Sequence, residues 1–187
     1  MLNQEKETDD TTDDEVLFKL NCFEVVKRYQ IGQSGKKHDR YVIRKKGAVA
    51  ILPIMPDGQV ILIKQWRAPA QRYIYEIPAG TMEPGEDPAT TAGRELIEET
   101  GWHAGKIEKM TSFFSSPGIF QEKLHLFRAT ELTPGKTHQE DGEDIIICPV
   151  TKRQAKKMLL NGEIEDAKTI LALLTLFIRF DYTASKE

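Results

Sequence analysis

Short apolar runs separated by turn residues occupy the middle of the chain and predict strands. Residues 48–54 and 60–66 are rich in Val, Ile and Leu, and Pro56-Asp57-Gly58 joins them, so a hairpin is predicted here. Residues 16–31 loosely alternate apolar and polar positions, which predicts one or two strands, and residues 40–44 predict another. Later strands are predicted at residues 74–80, 106–114, 123–129 and 145–150.

One helix has well-marked ends. Asp87 can cap its first turn and Pro88 suits its first position, so the helix is predicted to run to about Thr100. Gly101 follows, where a left-handed residue can end the helix. Two more helices are predicted at residues 152–160 and 166–180. Strands mixed with few helices, without regular alternation, favour an α+β fold or mixed-sheet sandwich over a doubly wound sheet.

Composition narrows the class of protein. With 187 residues, 40% of them hydrophobic, the chain can bury the core of one domain, and a net charge of −3 gives no sign of a nucleic-acid or membrane partner. The longest apolar run, residues 170–178, is far short of the roughly 20 residues of a membrane span. Acidic residues 1–14 predict a frayed tail and lack the pattern of a signal peptide. A cytoplasmic protein is expected.

The two cysteines show no functional pattern. Cys22 and Cys148 are far apart, and each lies in an apolar, strand-like run. We expect two buried free thiols, with neither a disulfide framework nor a zinc site.

An acidic helix end carries the candidate chemistry. Residues 80–102 read GTMEPGEDPATTAGRELIEETGW, and Glu95 and Glu99 are four residues apart on one helix face, with Glu98 beside them. Mutual repulsion and the helix dipole both disfavour carboxylates here, and a divalent cation with oxygen ligands would compensate. The plain alternative is a solvated acidic surface. Glycines and other charged residues at fixed offsets weigh against it.

This segment resembles the Nudix box, G-x5-E-x7-R-E-U-x-E-E-x-G-U, where U is a bulky apolar residue. The matching positions are Gly80, Glu86, Arg94, Glu95, Leu96, Glu98, Glu99 and Gly101, and Trp102 fills the last U position as an aromatic residue. The resemblance implies a Nudix-type α/β/α sandwich around a mixed β-sheet, here with a small N-terminal antiparallel strand extension. It also implies hydrolysis of nucleoside diphosphate derivatives with Mg²⁺, or alternatively Mn²⁺.

The resemblance also implies roles for single residues. Glu95 and Glu99 are expected to bind metal, with Glu98 a further ligand or support, and Glu99 is counted among the catalytic residues. Glu86 is expected to pair with Arg94 and steady the loop. The structural positions implied by the box are Gly80, Glu86, Arg94 and Gly101. Metal ions in such a site neutralise the pyrophosphate and position or activate water.

Segments outside the box resemble the ADP-ribose pyrophosphatase and nucleoside diphosphate sugar hydrolase group. Residues 76–80 match its E-[LI]-P-A-G element, which makes the Ala79 carbonyl a candidate metal ligand. Residues 65–67 match its Q-[YW]-R element, which implies that Arg67 contacts phosphates or ribose. Pro117, 16 residues after Gly101, matches the group's marker, although an ordinary turn is the alternative. Other substrate-binding candidates are Arg44, Gly118 and Glu122.

The resemblance favours ADP-ribose as the substrate, with AMP and ribose 5-phosphate as products. GDP-mannose or a broad range of nucleoside diphosphate sugars is the alternative. A non-catalytic nucleotide sensor is disfavoured because such proteins usually lose box acids, and all four glutamates are present here.

The late acidic loop, residues 139–144, resembles a loop that carries the general base and a metal-linked glutamate in this group. Its position before the strand at residue 145 assigns Glu143 to the metal and Glu140 to the base. Asp141 competes for the role of base, and a solvated acidic loop is the plain alternative.

The resemblance divides the chain into residues 1–14 as a tail, 15–45 as N-terminal strands and 46–187 as the hydrolase domain. Group members use such strands to build a homodimer and to place an aromatic ring over the base. Residues 162–169 resemble the group's entry into the last helix, and we interpret them as structural, with Asp166 as the helix cap. The stacking candidates are Phe23, Tyr29 and Tyr41, for each of which core packing is the favoured role.

Overall fold

The computed structural model describes residues 14–137 and 144–180. The strands are β1 (Glu15–Lys19), β2 (Glu24–Ile31), β3 (Lys37–Arg44), β4 (Ala48–Pro53), β5 (Val60–Arg67), β6 (Arg72–Glu76), β7 (Ala79–Thr81), β8 (Trp102–Phe114), β9 (Phe120–Gln121), β10 (Lys123–Pro134) and β11 (Ile145–Val150). The helices are α1 (Pro88–Thr100), α2 (Lys152–Leu160) and α3 (Ala167–Thr175), and α3 continues into a π-helical turn, Leu176–Phe180. The chain forms two compact units, the smaller comprising residues up to Lys46 together with residues 116–122.

The smaller unit is a four-stranded sheet. Strands β1, β2 and β3 form an antiparallel meander, and β9 adds in parallel to the edge of β3. Tyr29 and Tyr41 are exposed on this sheet, at 41% and 58%, so the prediction that they pack in a core is wrong. Alternation along β2 and β3 puts them on one face, which the described residues of the smaller unit leave exposed at both rings. Most of the predicted tail, residues 1–13, lies outside the described residues.

The larger unit contains two sheets, with strand orders β7-β4-β10-β8 and β11-β5-β6. The first is mixed, because β10 pairs in parallel with β4 and antiparallel with β8. Alternating residues of β4 enter two separate cores: Val49 packs in one with Leu96 of α1, and Ala50 packs in the other with Leu173 of α3. Helices therefore cover both faces of the sheets, which confirms the predicted α/β/α sandwich.

The predicted hairpin between residues 48–54 and 60–66 is wrong. The turn between them forms, with Gly58 N–H donating to the Met55 carbonyl at 2.9 Å, yet a single bridge between Ile54 and Val60 joins the two strands. β4 and β5 then diverge into different sheets. Most residues of both strands are buried. β4 pairs with β7 and β10, and β5 pairs with β6 and β11.

The helix predictions are confirmed closely. Asp87 caps α1 by accepting hydrogen bonds from Ala89 N and Thr90 N, and Gly101 ends it at φ 73°. α2 begins and ends at the predicted residues, and Asp166 caps α3. Across the two described stretches, no helix is both long and apolar enough to cross a membrane.

The cysteine prediction is wrong for Cys22, which is exposed in the turn between β1 and β2. Turn residues lie on the surface even when apolar residues flank them. Cys148 is half-buried in β11, and this burial raises the pKa of its thiol.

Candidate active site

A polar cavity of about 300 Å³ in the larger unit gathers most of the residues predicted from the acidic segment. It is formed by the end of β5, by β7 and by the second half of α1. Its lining residues are Gln65, Arg67, Ala79, Gly80, Thr81, Arg94, Glu95, Glu98 and Glu99. Residues from three separate elements thus meet at one point, as the box and the two shorter motifs predict.

α1 brings its three carboxylates to the cavity from its last turns. Glu99 is 3% exposed, and its Oε2 accepts a hydrogen bond from the Ala79 amide at 3.1 Å. Glu95 lies one turn earlier on the same face, against β7. A Cβ built on Gly80 would overlap the Glu95 carboxylate, so glycine at this position leaves the space that the carboxylate occupies.

Arg94 is the central counter-charge of the acidic cluster. It approaches Glu95 Oε1 at 2.9 Å and Glu98 Oε2 at 2.8 Å, and its Nε and Nη2 bond the two oxygens of Glu86 at 3.1 Å each. The hydrogen bonds from Arg94 are the main cause that lowers the pKa of Glu86 to about 2. The same contacts raise the pKa of Arg94, with Glu86 again the main cause.

The donor set fits a hard divalent cation. Three carboxylates and the Ala79 backbone face one small cavity, and oxygen-only sites of this kind suit Mg²⁺. Within residues 14–137 and 144–180, no group of three or more acidic, His or Cys side chains is arranged to hold a metal as it stands. Glu95 and Glu98 are engaged by Arg94, and Glu99 by the Ala79 amide.

The immediate partners of Arg67 were not predicted from the sequence. Its Nε and Nη2 donate to the two oxygens of Glu76 at 2.6 and 2.8 Å, and Glu76 is 3% exposed. Lys168, from α3, contacts the same carboxylate. Gln65, also in the cavity wall, has a buried Oε1 that meets no hydrogen-bond donor in the described part of the chain. A buried glutamate at the end of an apolar strand was the available signal, because such a residue needs a cation.

The other substrate candidates belong to the smaller unit. Arg44 pairs with Glu24 at 2.8 and 2.5 Å and with Asp14 at 3.2 Å, and Lys45 pairs with Glu122 at 2.8 Å. Pro117 and Gly118 lie in a turn in which the amides of residues 119 and 120 donate to the residue 116 carbonyl.

A second cavity, of about 560 Å³, lies within the smaller unit. Phe23 and Arg44 line it, together with Lys45 and Lys46. It therefore combines an aromatic ring with several cations. Glu140, Asp141 and Glu143, the candidates for general base and further metal ligand, lie outside the described residues.

Comparison with known proteins decides the family. Residues 44–173 match the family model described as NUDIX domain. The chain belongs to the Nudix family. It is 41% identical over 155 residues to an ADP-ribose pyrophosphatase of Bacillus subtilis, covering 82% of this chain and 84% of that protein. It is 31% identical over 147 residues to a GDP-mannose pyrophosphatase of Escherichia coli, covering 73% and 76%.

A solved structure supports the Nudix fold independently. The crystal structure of an ADP compounds hydrolase superposes with a TM-score of 0.80, at 22% identity, over 93% of each chain. At this identity the likeness bears on the fold alone. The family model and the relatives together identify this Nudix protein as a pyrophosphohydrolase.

Proposed function

We propose that the protein hydrolyses the pyrophosphate of nucleoside diphosphate sugars with a divalent metal, and that ADP-ribose is the favoured substrate, giving AMP and ribose 5-phosphate. The observation that carries the proposal is the meeting of Glu95, Glu98 and Glu99 with Ala79 in one polar cavity. The names of the Bacillus and Escherichia relatives support the substrate class.

Mg²⁺ is the proposed metal, with Mn²⁺ the alternative. The Ala79 carbonyl and the carboxylates of Glu95, Glu98 and Glu99 would hold it, and Glu143 would complete the set. When bound, the metal would neutralise charge on the pyrophosphate and favour attack by water.

The chain's own residues would bind the substrate. Arg67, at the cavity wall, is proposed to hold phosphate oxygens. Arg44 is proposed to bind phosphate or the terminal ribose, with Glu122 as a ribose contact, and the turn at Pro117 and Gly118 to border the substrate. Phe23, which lines the cavity of the smaller unit, is the proposed stacking partner of the base.

A panel of substrates tests the function. Purified protein is incubated with ADP-ribose, GDP-mannose, UDP-glucose and diadenosine polyphosphate, with Mg²⁺ or with EDTA, and products are separated by chromatography. We expect ADP-ribose to give AMP and ribose 5-phosphate in the presence of Mg²⁺ and no products in the presence of EDTA. Tight binding without turnover would favour a sensor, and no binding or turnover anywhere would contradict the proposal.

GDP-mannose is the second candidate substrate, favoured by the Escherichia relative. The two substrates differ in both base and sugar, and the panel separates them by relative kcat/KM. A higher kcat/KM for GDP-mannose than for ADP-ribose would make GDP-mannose the favoured substrate and leave the reaction class unchanged.

Glu140 is the proposed general base, and Glu140→Gln should lower kcat about a hundredfold, the usual contribution of a positioned base. The measurement is kcat at saturating ADP-ribose. Asp141→Asn is the matched comparison one residue away and should retain most activity. The role belongs to a neighbour if Glu140→Gln keeps its rate while Asp141→Asn or Glu143→Gln loses it.

A homodimer is proposed, built through residues 15–45. Strand β1 of this segment exposes Val16, Leu17 and Phe18, each close to half, and such an apolar strip favours association. A monomeric mass by light scattering would contradict this assembly.

A further inference from the structure

One buried carboxylate, that of Glu76 at the end of β6, pairs with two positively charged side chains. Arg67 donates two hydrogen bonds to it, of 2.6 and 2.8 Å, and the Lys168 ammonium contacts one of the same oxygens. The side chains of Glu76 and Lys168 are only 3% and 12% exposed. Burial raises the pKa of Glu76, but the bonds from Arg67 and Lys168 outweigh it and leave this pKa below its ordinary value.

Lys168 is held in turn by the first turn of α3. Its ammonium lies 3.0 Å from Asp166 Oδ1, and Asp166 caps the helix through the amide of Thr169 at 2.9 Å. The Thr169 hydroxyl accepts a hydrogen bond from the Ile77 amide at 2.8 Å. The start of α3 therefore fixes both the Glu76 side chain and the backbone that leads into Ala79.

A lysine in the first turn of a helix is unfavourable locally, because the helix dipole is positive there. Glu76 and Asp166 offset this penalty. The four charges of Glu76, Asp166, Arg67 and Lys168 sum to zero, so replacing Lys168 by a neutral residue would leave one net negative charge beside an already acidic cavity. Lys168 therefore balances the charge that Glu76 and Asp166 bring beside Arg67.

The bonds to Glu76 also fix the orientation of the guanidinium. They use Nε and Nη2 of Arg67, and Nη1 donates to no acceptor in the portions of the chain that the structure describes. Arg67 lines the cavity, and both N–H groups of Nη1 and the second N–H of Nη2 are left to donate to a ligand.

We propose that Lys168 is a positioning residue, which acts through Glu76 to orient Arg67 toward the pyrophosphate of the substrate. The proposal rests on the proposed function for the role of Arg67. It assigns a task in substrate binding to a residue 92 positions away from Glu76 in the chain.

The test measures the coupling between Lys168 and Arg67. Binding of ADP with Mg²⁺ present is followed by calorimetry for the wild type, Lys168→Met, Arg67→Ala and the double variant. ADP carries a pyrophosphate group but lacks the ester to a second sugar. Lys168→Met should raise Kd about tenfold, as expected for a charge-assisted interaction, and the double variant should bind no more than about twofold more weakly than Arg67→Ala alone.

Kinetics on the substrate that the panel identifies give the second readout. Lys168→Met should raise KM about tenfold and change kcat less than threefold, because it leaves the three cavity carboxylates in place. Lys168→Arg should restore most of the affinity. Lys156→Met, which removes an exposed lysine of α2, is the matched control and should bind and turn over like the wild type.

Each other outcome overturns the proposal. If the fold increases in Kd of the two single variants multiply in the double variant, Lys168 acts independently of Arg67. If Lys168→Met lowers the melting temperature and leaves Kd unchanged, the role of Lys168 is purely structural. Failure of the wild type to bind ADP would remove the need for a positioned arginine. Failure of the proposed function is distinguishable, since it appears as absent ADP-ribose turnover while ADP binding and its coupling persist.

Discussion

Glu99→Gln should lower kcat about a thousandfold while the protein stays folded. Glu99 is 3% exposed at the cavity, and its proposed task is to hold a cation, which a neutral amide does poorly. The fold should survive because the Gln oxygen can still accept the hydrogen bond from the Ala79 amide. Loss of repulsion with Glu95, four residues earlier, should add a few tenths of a kcal/mol to the free energy of unfolding. The measurements are kcat with saturating Mg²⁺ and ADP-ribose, and the melting temperature.

Two comparisons make this result specific. Glu98→Gln should lose less activity, because the Glu98 side chain is 36% exposed and already lies 2.8 Å from Arg94. Glu163→Gln, at an exposed position after α2, should match the wild type. A Glu99→Gln variant within tenfold of the wild-type kcat would remove Glu99 from the metal set.

Features set by local chemistry could be predicted from the sequence. The ends of α1 follow from the Asp87 cap, Pro88 and the left-handed Gly101, all of which act within one turn of the helix. The spacing of the carboxylates along that helix follows from its geometry alone. This is why the acidic wall of the cavity could be anticipated residue by residue.

Features set by distant partners could not be predicted in this way. The runs at residues 48–54 and 60–66 carry a turn between them, yet β4 pairs with β10, more than 70 residues later, and β5 pairs with β11, at least 80 residues later. The apolar pattern predicts that both faces of a strand are buried, but it does not predict which strand lies beside it. A turn signal alone therefore suggested the wrong pairing.

The contact between Glu76 and Lys168 could not be predicted from the sequence for the same reason. Glu76 and Lys168 appeared in the sequence as parts of two separate motifs, and the second was interpreted as structural. Their contact depends on the packing of α3 against the larger unit's sheets. The partner of a buried charge is hard to predict from the sequence, because it can come from any element that the fold brings near.

Arg94→Met should lower kcat several-hundredfold and reduce the free energy of unfolding at pH 7 by about 2 kcal/mol. Arg94 engages Glu86, Glu95 and Glu98 together, so its loss leaves three carboxylates without their shared cation. Breaking a fully buried pair costs about 3–5 kcal/mol, and the 29% exposure of the Arg94 side chain reduces that figure. Chemical denaturation gives the stability, and Arg94→Lys, which keeps the charge but loses the paired hydrogen bonds to Glu86, should fall in between.

The pH dependence tests the assignment of that stability to the Arg94 pairs. The pKa of Glu86 is lowered from 4.5 to about 2 in the folded protein, chiefly by Arg94. A depressed pKa means that the stabilisation is fully present above about pH 4.5 and is lost as the pH falls toward about 2. The difference in unfolding free energy between wild type and Arg94→Met should therefore be largest near pH 7 and shrink progressively through that acidic window. A difference that stays constant down to pH 2.5 would assign the destabilisation to lost packing of the arginine side chain and not to its charge.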